Sequence, residues 1–78
     1  MKEKYLRKFK DFEQCSILLY SGLVIDHTER DGKSCWFYFI DNDHIAETII
    51  NDFNNKKIVG NIKKFCEAQQ TIRSIFNS

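Results

Sequence analysis

The chain has 78 residues, 42% of them apolar and 14% aromatic, with three glycines, no proline and a net charge of +1. That length makes one small domain, 1–78, able to bury only roughly 60–65% of its unfolded surface, and the composition excludes a disordered chain or a long linker. No run approaches the ~18 apolar residues of a membrane span, and the basic residues at the start have no apolar stretch behind them, so they do not read as a secretory signal.

Cys15, Cys35 and Cys66 lie far apart among apolar neighbours. An odd, scattered set reads as reduced thiols used as small core hydrophobes, and implies a cytoplasmic protein. Charge is uneven along the chain. Residues 1–25 carry five basic and three acidic groups, 26–52 carry two and seven, and 53–78 carry five and one. Basic ends beside an acidic middle allow an anionic partner without requiring one.

Lys4 to Lys10 reads equally as a short edge strand or a helical arm. Asp11 is a good N-cap, with Gln14 three residues on as a capping-box partner. Phe12, Cys15, Leu18 and Leu19 then recur at helical spacing until Gly22 supplies a left-handed C-cap. Gly22 to Asp41 holds two runs rich in β-branched and aromatic residues around Asp31-Gly32, the pattern of a β-hairpin.

Two registers compete in that hairpin. A two-residue turn at Asp31-Gly32 places Asp26 on one face with Phe37 and Phe39. A turn one residue longer, with Gly32 in a G1 bulge, places Leu23, Ile25, Cys35, Phe37 and Phe39 together, with His27 facing Cys35. A one-residue slip swaps faces, and burying a lone carboxylate costs several kcal/mol, so the bulged register is expected. Val24, Asp26, Thr28, Ser34, Trp36 and Tyr38 then share the opposite face.

Asp41-Asn42-Asp43 caps the next helix through Asp41 or Asp43. Ile45, Ile49 and Phe53 form its stripe, backed by Ala46 and Ile50, and Asn54 to Lys57 ends it. A third helix follows Gly60-Asn61, with Ile62, Phe65, Cys66, Gln69, Ile72 and Phe76 inward and Lys63, Lys64, Glu67, Gln70, Arg73 and Ser74 outward. The fold class is α+β in the order (β)αββαα. It comprises a β-hairpin, or a three-stranded antiparallel sheet if residues 4–10 form a strand, with three helices packed on one face.

Taken together, Asp11-Phe12 opening a Leu-rich helix that ends at Gly22, Arg30-Asp31-Gly32 before Cys35-Trp36-Phe37-Tyr38-Phe39, Phe53-Asn54-Asn55, and then Val59, Phe65, Ala68 and Ile72 resemble a small family of uncharacterised domains from bacterial and phage genomes. The resemblance spans residues 5–77. It implies the element order, core positions for Phe37 and Phe39, and a phage or mobile-element origin. It implies no activity.

Catalysis finds little footing. His27 and His44 are the only histidines, and no ligand pairs have zinc spacing. Asp41-Asn42-Asp43 echoes the opening of a calcium loop but lacks its glycine and closing glutamate. A Cys35–His27 pair is the nearest approach to a nucleophile with its base, without an orienting group or oxyanion hole. Three scattered glycines cannot cradle a nucleotide. The expectation is a non-enzymatic binding module with no cofactor, metal, membrane or small-molecule substrate.

Two partner classes remain. In the first, Trp36 and Tyr38, with Asp26 and Thr28 beside them, contact a protein or a second copy of the chain, because exposed Trp and Tyr are the residues that anchor such interfaces. In the alternative, nucleic acid binds through Lys33, Lys56, Lys57, Lys63, Lys64 and Arg73, with bases stacking on the hairpin aromatics.

Overall fold

The computed structural model describes residues 3–56 and 60–77. In chain order the elements are β1 (Leu6–Phe9), α1 (Phe12–Tyr20), β2 (Val24–Asp31), β3 (Ser34–Ile40), α2 (Ala46–Lys56) and α3 (Ile62–Phe76). This is an α+β fold in the order βαββαα, and residues 6–9 are a strand. The sheet is antiparallel, with β3 between β1 and β2.

Local chemistry sets the helix ends. The Asp11 carboxylate accepts from the Gln14 backbone N–H at 2.9 Å and opens α1. At the other end, Gly22 adopts φ +106, its N–H donates to Leu19 O, and the Leu23 N–H donates to Leu18 O. This pair of bonds is a Schellman motif, closed by Leu18 and Leu23, both in the core. Asn61 caps α3 in the same way as Asp11 caps α1, accepting from the Lys64 N–H at 3.0 Å.

The hairpin register differs from the expected one. Asp31 pairs with Ser34, so the two-residue loop is Gly32-Lys33. Gly32 has φ +62 while Lys33 stays in the ordinary negative region, the pattern of a type II′ turn with glycine first. The extra residue sits instead at Asp26, between the pairs Ile25–Phe39 and His27–Tyr38. Continued without a bulge, this ladder would set Asp26 opposite Phe39 in the core and turn Ile25 outward. The bulge restores Leu23 and Ile25 to the inner face, and the cost of a buried carboxylate accounts for it. Below the bulge the phase is the reverse of the expected one. Thr28 and Arg30 lie on the inner face opposite Phe37 and Cys35, and His27 and Glu29 lie on the outer face opposite Tyr38 and Trp36.

The core forms between the inner face of the sheet and the helices. Phe37, Phe39 and Cys35 from β3 meet Cys15, Ile17 and Leu18 of α1, Ala46 and Ile50 of α2, and Ile72 of α3. Four consecutive residues of α1, from Cys15 to Leu18, are buried, so this helix is covered on nearly all sides. Ser16 tolerates burial because its hydroxyl donates to Phe12 O at 2.8 Å. Burial pushes the Cys15 thiol up to about 12, with smaller contributions from Asp11 and Cys35, and leaves it inert.

Two stripes are rotated from their expected positions. In α2, Ala46 and Ile50 are buried, while Ile45 lies exposed just ahead of the helix. In α3, the inward set is Phe65, Ala68, Ile72 and Ile75; Cys66 is exposed and Ile62 is 73% exposed. The helix packs chiefly on α1, with Phe65 also stacked on Phe53 of α2, along one narrow line, so the wider stripe drawn from sequence overshoots its contact. Cys66 is therefore not a core thiol, whereas Cys15 and Cys35 are.

Candidate binding face

The helices cover one face of the sheet and leave the other open. On the open face the residues fall into cross-strand rows, because side chains alternate along each strand. Leu6, Ile40 and Val24 form an aliphatic row; Lys8, Tyr38 and His27 form the next. Trp36 and Glu29 form the third, and Lys10, one step beyond Phe9, reaches the same Trp36 ring. Val24 is 59% exposed, and the aliphatic row runs into a cleft of about 270 Å³ lined by Val24, Ile40 and Ile45.

The aromatic stripe is held in place by its neighbours. The ammonium groups of Lys8 and Lys10 lie 4.7 and 5.2 Å from the centre of the Trp36 ring. The His27 ring stacks on Tyr38 at 4.3 Å with 13° between planes, and the Tyr38 hydroxyl donates to Glu29 Oε1 at 3.0 Å. Both aromatics are half-buried, and the ring contacts described for them come from Lys8, Lys10 and His27. At the bulge, Asp26 Oδ1 accepts from Lys4 Nζ at 2.8 Å, and Asp26 Oδ2 lies 2.6 Å from His27 Nδ1. The bond from Lys4, then that from His27, holds the Asp26 carboxyl below the usual carboxylate range. Lys4 therefore ties the chain before β1 to β2 across the outer face.

The Tyr38 hydroxyl titrates above its ordinary value of 10.0, chiefly because Glu29 accepts its proton in a hydrogen bond, with burial and the Glu29 charge adding to the shift. A raised phenol pKa stabilises the fold below the unfolded-state value, and the benefit is lost as pH rises through the folded one. Glu29→Ala, which removes the acceptor, is expected to move Tyr38 back down, read as an earlier step in an ultraviolet absorbance titration; an unchanged curve would show that the bond is not made in solution.

The residues singled out from sequence divide accordingly. Trp36 and Tyr38 stand together on the open face, and Asp26 stands at its bulge. Thr28 does not join them, since it faces Phe37 on the other side. The same reversal separates Cys35, buried on the inner face, from His27 on the outer one, so the pair weighed as nucleophile and base cannot meet. Asp41, not Asp43, caps the segment leading into α2. Among the described residues, no three His, Cys, Asp or Glu side chains gather closely enough to hold a metal ion.

The basic candidates are dispersed. Lys33 lies in the hairpin loop, and Lys63, Lys64 and Arg73 lie on α3, on the helical side away from Trp36. Lys64 sits over Tyr20 and Arg73 over Phe12, at 5.5 and 5.2 Å from the ring centres. Lys57 falls outside the described residues, as does the side chain of Lys56. The cations that do meet Trp36 are Lys8 and Lys10, which no local motif marks; only the pairing of β1 with β3 brings them there. A second cleft of about 360 Å³ opens between Phe12, Phe37, Ile72 and Phe76, with Lys10 and Arg73 at its rim. Both rim cations already stack on rings.

The chain belongs to a family described as a domain of unknown function (DUF5659), whose model matches residues 4–78. No curated protein and no solved structure matches it. No helix among the described residues is long and apolar enough to cross a membrane.

Proposed function

We propose that this domain acts by binding protein, without catalysis, through the open face of its sheet. The observation that carries this reading is the uncovered stripe of Trp36 and Tyr38 running into the Leu6–Ile40–Val24 row. Half-buried aromatic and aliphatic side chains in contiguous positions, with Val24 exposed at their end, are what a protein interface buries at its centre. Charges of both signs border the stripe, Lys8 and Lys10 along β1 and Asp26, Glu29 and Asp31 along β2, which suits a polar rim. The free thiols of Cys15 and Cys35, both buried, and of Cys66, exposed, fit work in a reducing compartment such as the cytoplasm.

The test is Trp36→Ala. The variant should unfold within about 1 kcal/mol of the native chain, because its contacts are surface cation–π pairs. It should also lose the proteins that the tagged native chain captures from cell extract, at low and high salt alike. Strong destabilisation by Trp36→Ala, or capture that survives it, would overturn the reading.

One observation favours a second reading. Lys8 and Lys10 beside Trp36 resemble a base-stacking platform with phosphate contacts. On that reading a single-stranded oligonucleotide should shift at low salt, release steeply as salt rises, and fail to bind Lys8→Glu with Lys10→Glu. Lys63→Glu with Lys64→Glu should then have little effect, since those residues lie on the helical side. The three carboxylates of β2 on or beside this face repel phosphate, which places this reading second.

A further inference from the structure

We infer that the partner of the open face is a second copy of this chain, docked face to face about a two-fold axis parallel to β3. The inference rests on the reading of that face as a protein-contact surface and names its occupant. Its basis is the arrangement of the rows. The strand order β1-β3-β2 puts cations along one side of the aromatic stripe and carboxylates along the other. Lys10 and Glu29 flank Trp36, and Lys8 and His27 flank Tyr38.

A two-fold axis along β3 exchanges β1 with β2 and leaves each row at its own height. Lys10 of one copy then lies over Glu29 of the other, twice by symmetry. Trp36 meets Trp36 near the axis, and the Leu6–Ile40–Val24 row meets its own equivalent. An in-plane axis across the strands does the opposite: it sets β1 over β1, lysine against lysine, and carboxylates against carboxylates. The charge pattern therefore selects one of the two ways in which this face can meet itself. Sheets packed in aligned fashion about 10 Å apart leave room for interdigitated Trp and Tyr rings. An isologous contact of this kind closes at two copies.

A face three strands wide is small against the ~800 Å² per partner of a standard interface, so the dimer is a weak one. Its mass must be followed over a concentration series, by sedimentation from about 10 µM to about 1 mM. Native chain should pass from monomer to dimer over that range. The emission of Trp36, the sole tryptophan, should shift to the blue in step as water leaves the ring.

The decisive variants are Lys10→Glu and Glu29→Lys, each at an exposed position. Alone, each sets like charges against each other twice and should weaken association about tenfold or more. Mixed one to one, they should associate again, because both contacts in the mixed pair join opposite charges. No contact within a single copy can produce that rescue. Native chain that stays monomeric throughout overturns the inference. So does a dimer indifferent to both variants, a mixture that fails to associate, or a dimer whose Trp36 emission does not move. If the chain is monomeric and Trp36→Ala still abolishes capture from extract, the second copy is wrong and the contact face stands. If both fail, the face binds no protein.

Discussion

Phe37→Ala is expected to cost about 3–5 kcal/mol and to bring the chain to the edge of unfolding at room temperature. The ring is 2% exposed, opposes Phe9 on β1 and Thr28 on β2, and belongs to the cluster shared with all three helices. Removing it strips contacts from both sides of the core, and a sheet tied to helices on that face cannot collapse into the void. A domain of this length holds about 5 kcal/mol in total, so the loss consumes nearly all of it. Circular dichroism on urea titration would show it as a baseline already sloping at zero denaturant. The adjacent residue gives the contrast, because Trp36→Ala removes a larger side chain at a small cost. If the two variants unfold at similar denaturant concentrations, the sheet has no open face.

Much of this fold is legible because its signals are local. Asp11 with the Gln14 N–H, Gly22 at positive φ and Asn61 before α3 each satisfy backbone groups within four residues, and the helix ends follow from them. The composition of the inner sheet face is legible too. Because Asp26 cannot be buried beside Phe39, Leu23, Ile25, Phe37 and Phe39 come together wherever the extra residue falls. The site of that residue is not legible. A bulge at Gly32 and a II′ turn with a bulge at Asp26 differ little in turn chemistry. The observed one is braced by Lys4, which lies 22 residues from Asp26 and reaches it only once β1 is paired.

The make-up of the open face escapes a sequence reading for the same reason. The partners of Trp36 and Tyr38, namely Lys8, Lys10, His27 and Glu29, are chosen by register and by strand order. Periodicity can put two aromatics on one face, and it cannot say which charges stand beside them. Thr28 and Cys66 show the limit directly. Each sits one step of phase away from where its local pattern puts it, because a distant bulge or a narrow helix contact fixes the true phase.

Asp41→Ala is expected to cost about 2–3 kcal/mol, the second largest loss. The carboxylate is 2% exposed, and it is a tolerable buried charge only because the chain wraps around it. Oδ1 accepts from the Ile45 N–H at 2.9 Å and Oδ2 from the Ala46 N–H at 3.1 Å. The Asp41 backbone is pinned at both ends as well, donating to Tyr5 O at 2.8 Å and accepting from His44 N at 2.9 Å. One residue therefore joins the start of β1, the end of β3 and the entry to α2. Holding that entry requires His44 at φ +55, a strained choice for a residue with a side chain, and the two carboxylate bonds offset it. Alanine would leave both N–H donors without their acceptor and release His44 from the turn. Asparagine keeps one good acceptor in the same volume, so Asp41→Asn should lose about half as much. Urea unfolding of the three proteins gives the order native, Asn, Ala, and in the alanine variant the amides of Ile45 and Ala46 should exchange with solvent faster than those of β3. Equal losses for Asn and Ala would assign the cost to the buried charge itself instead of to the cap. Because Asp41 lies beyond the aliphatic row of the open face, Asp41→Asn should lower stability while leaving the proposed association through Trp36 intact.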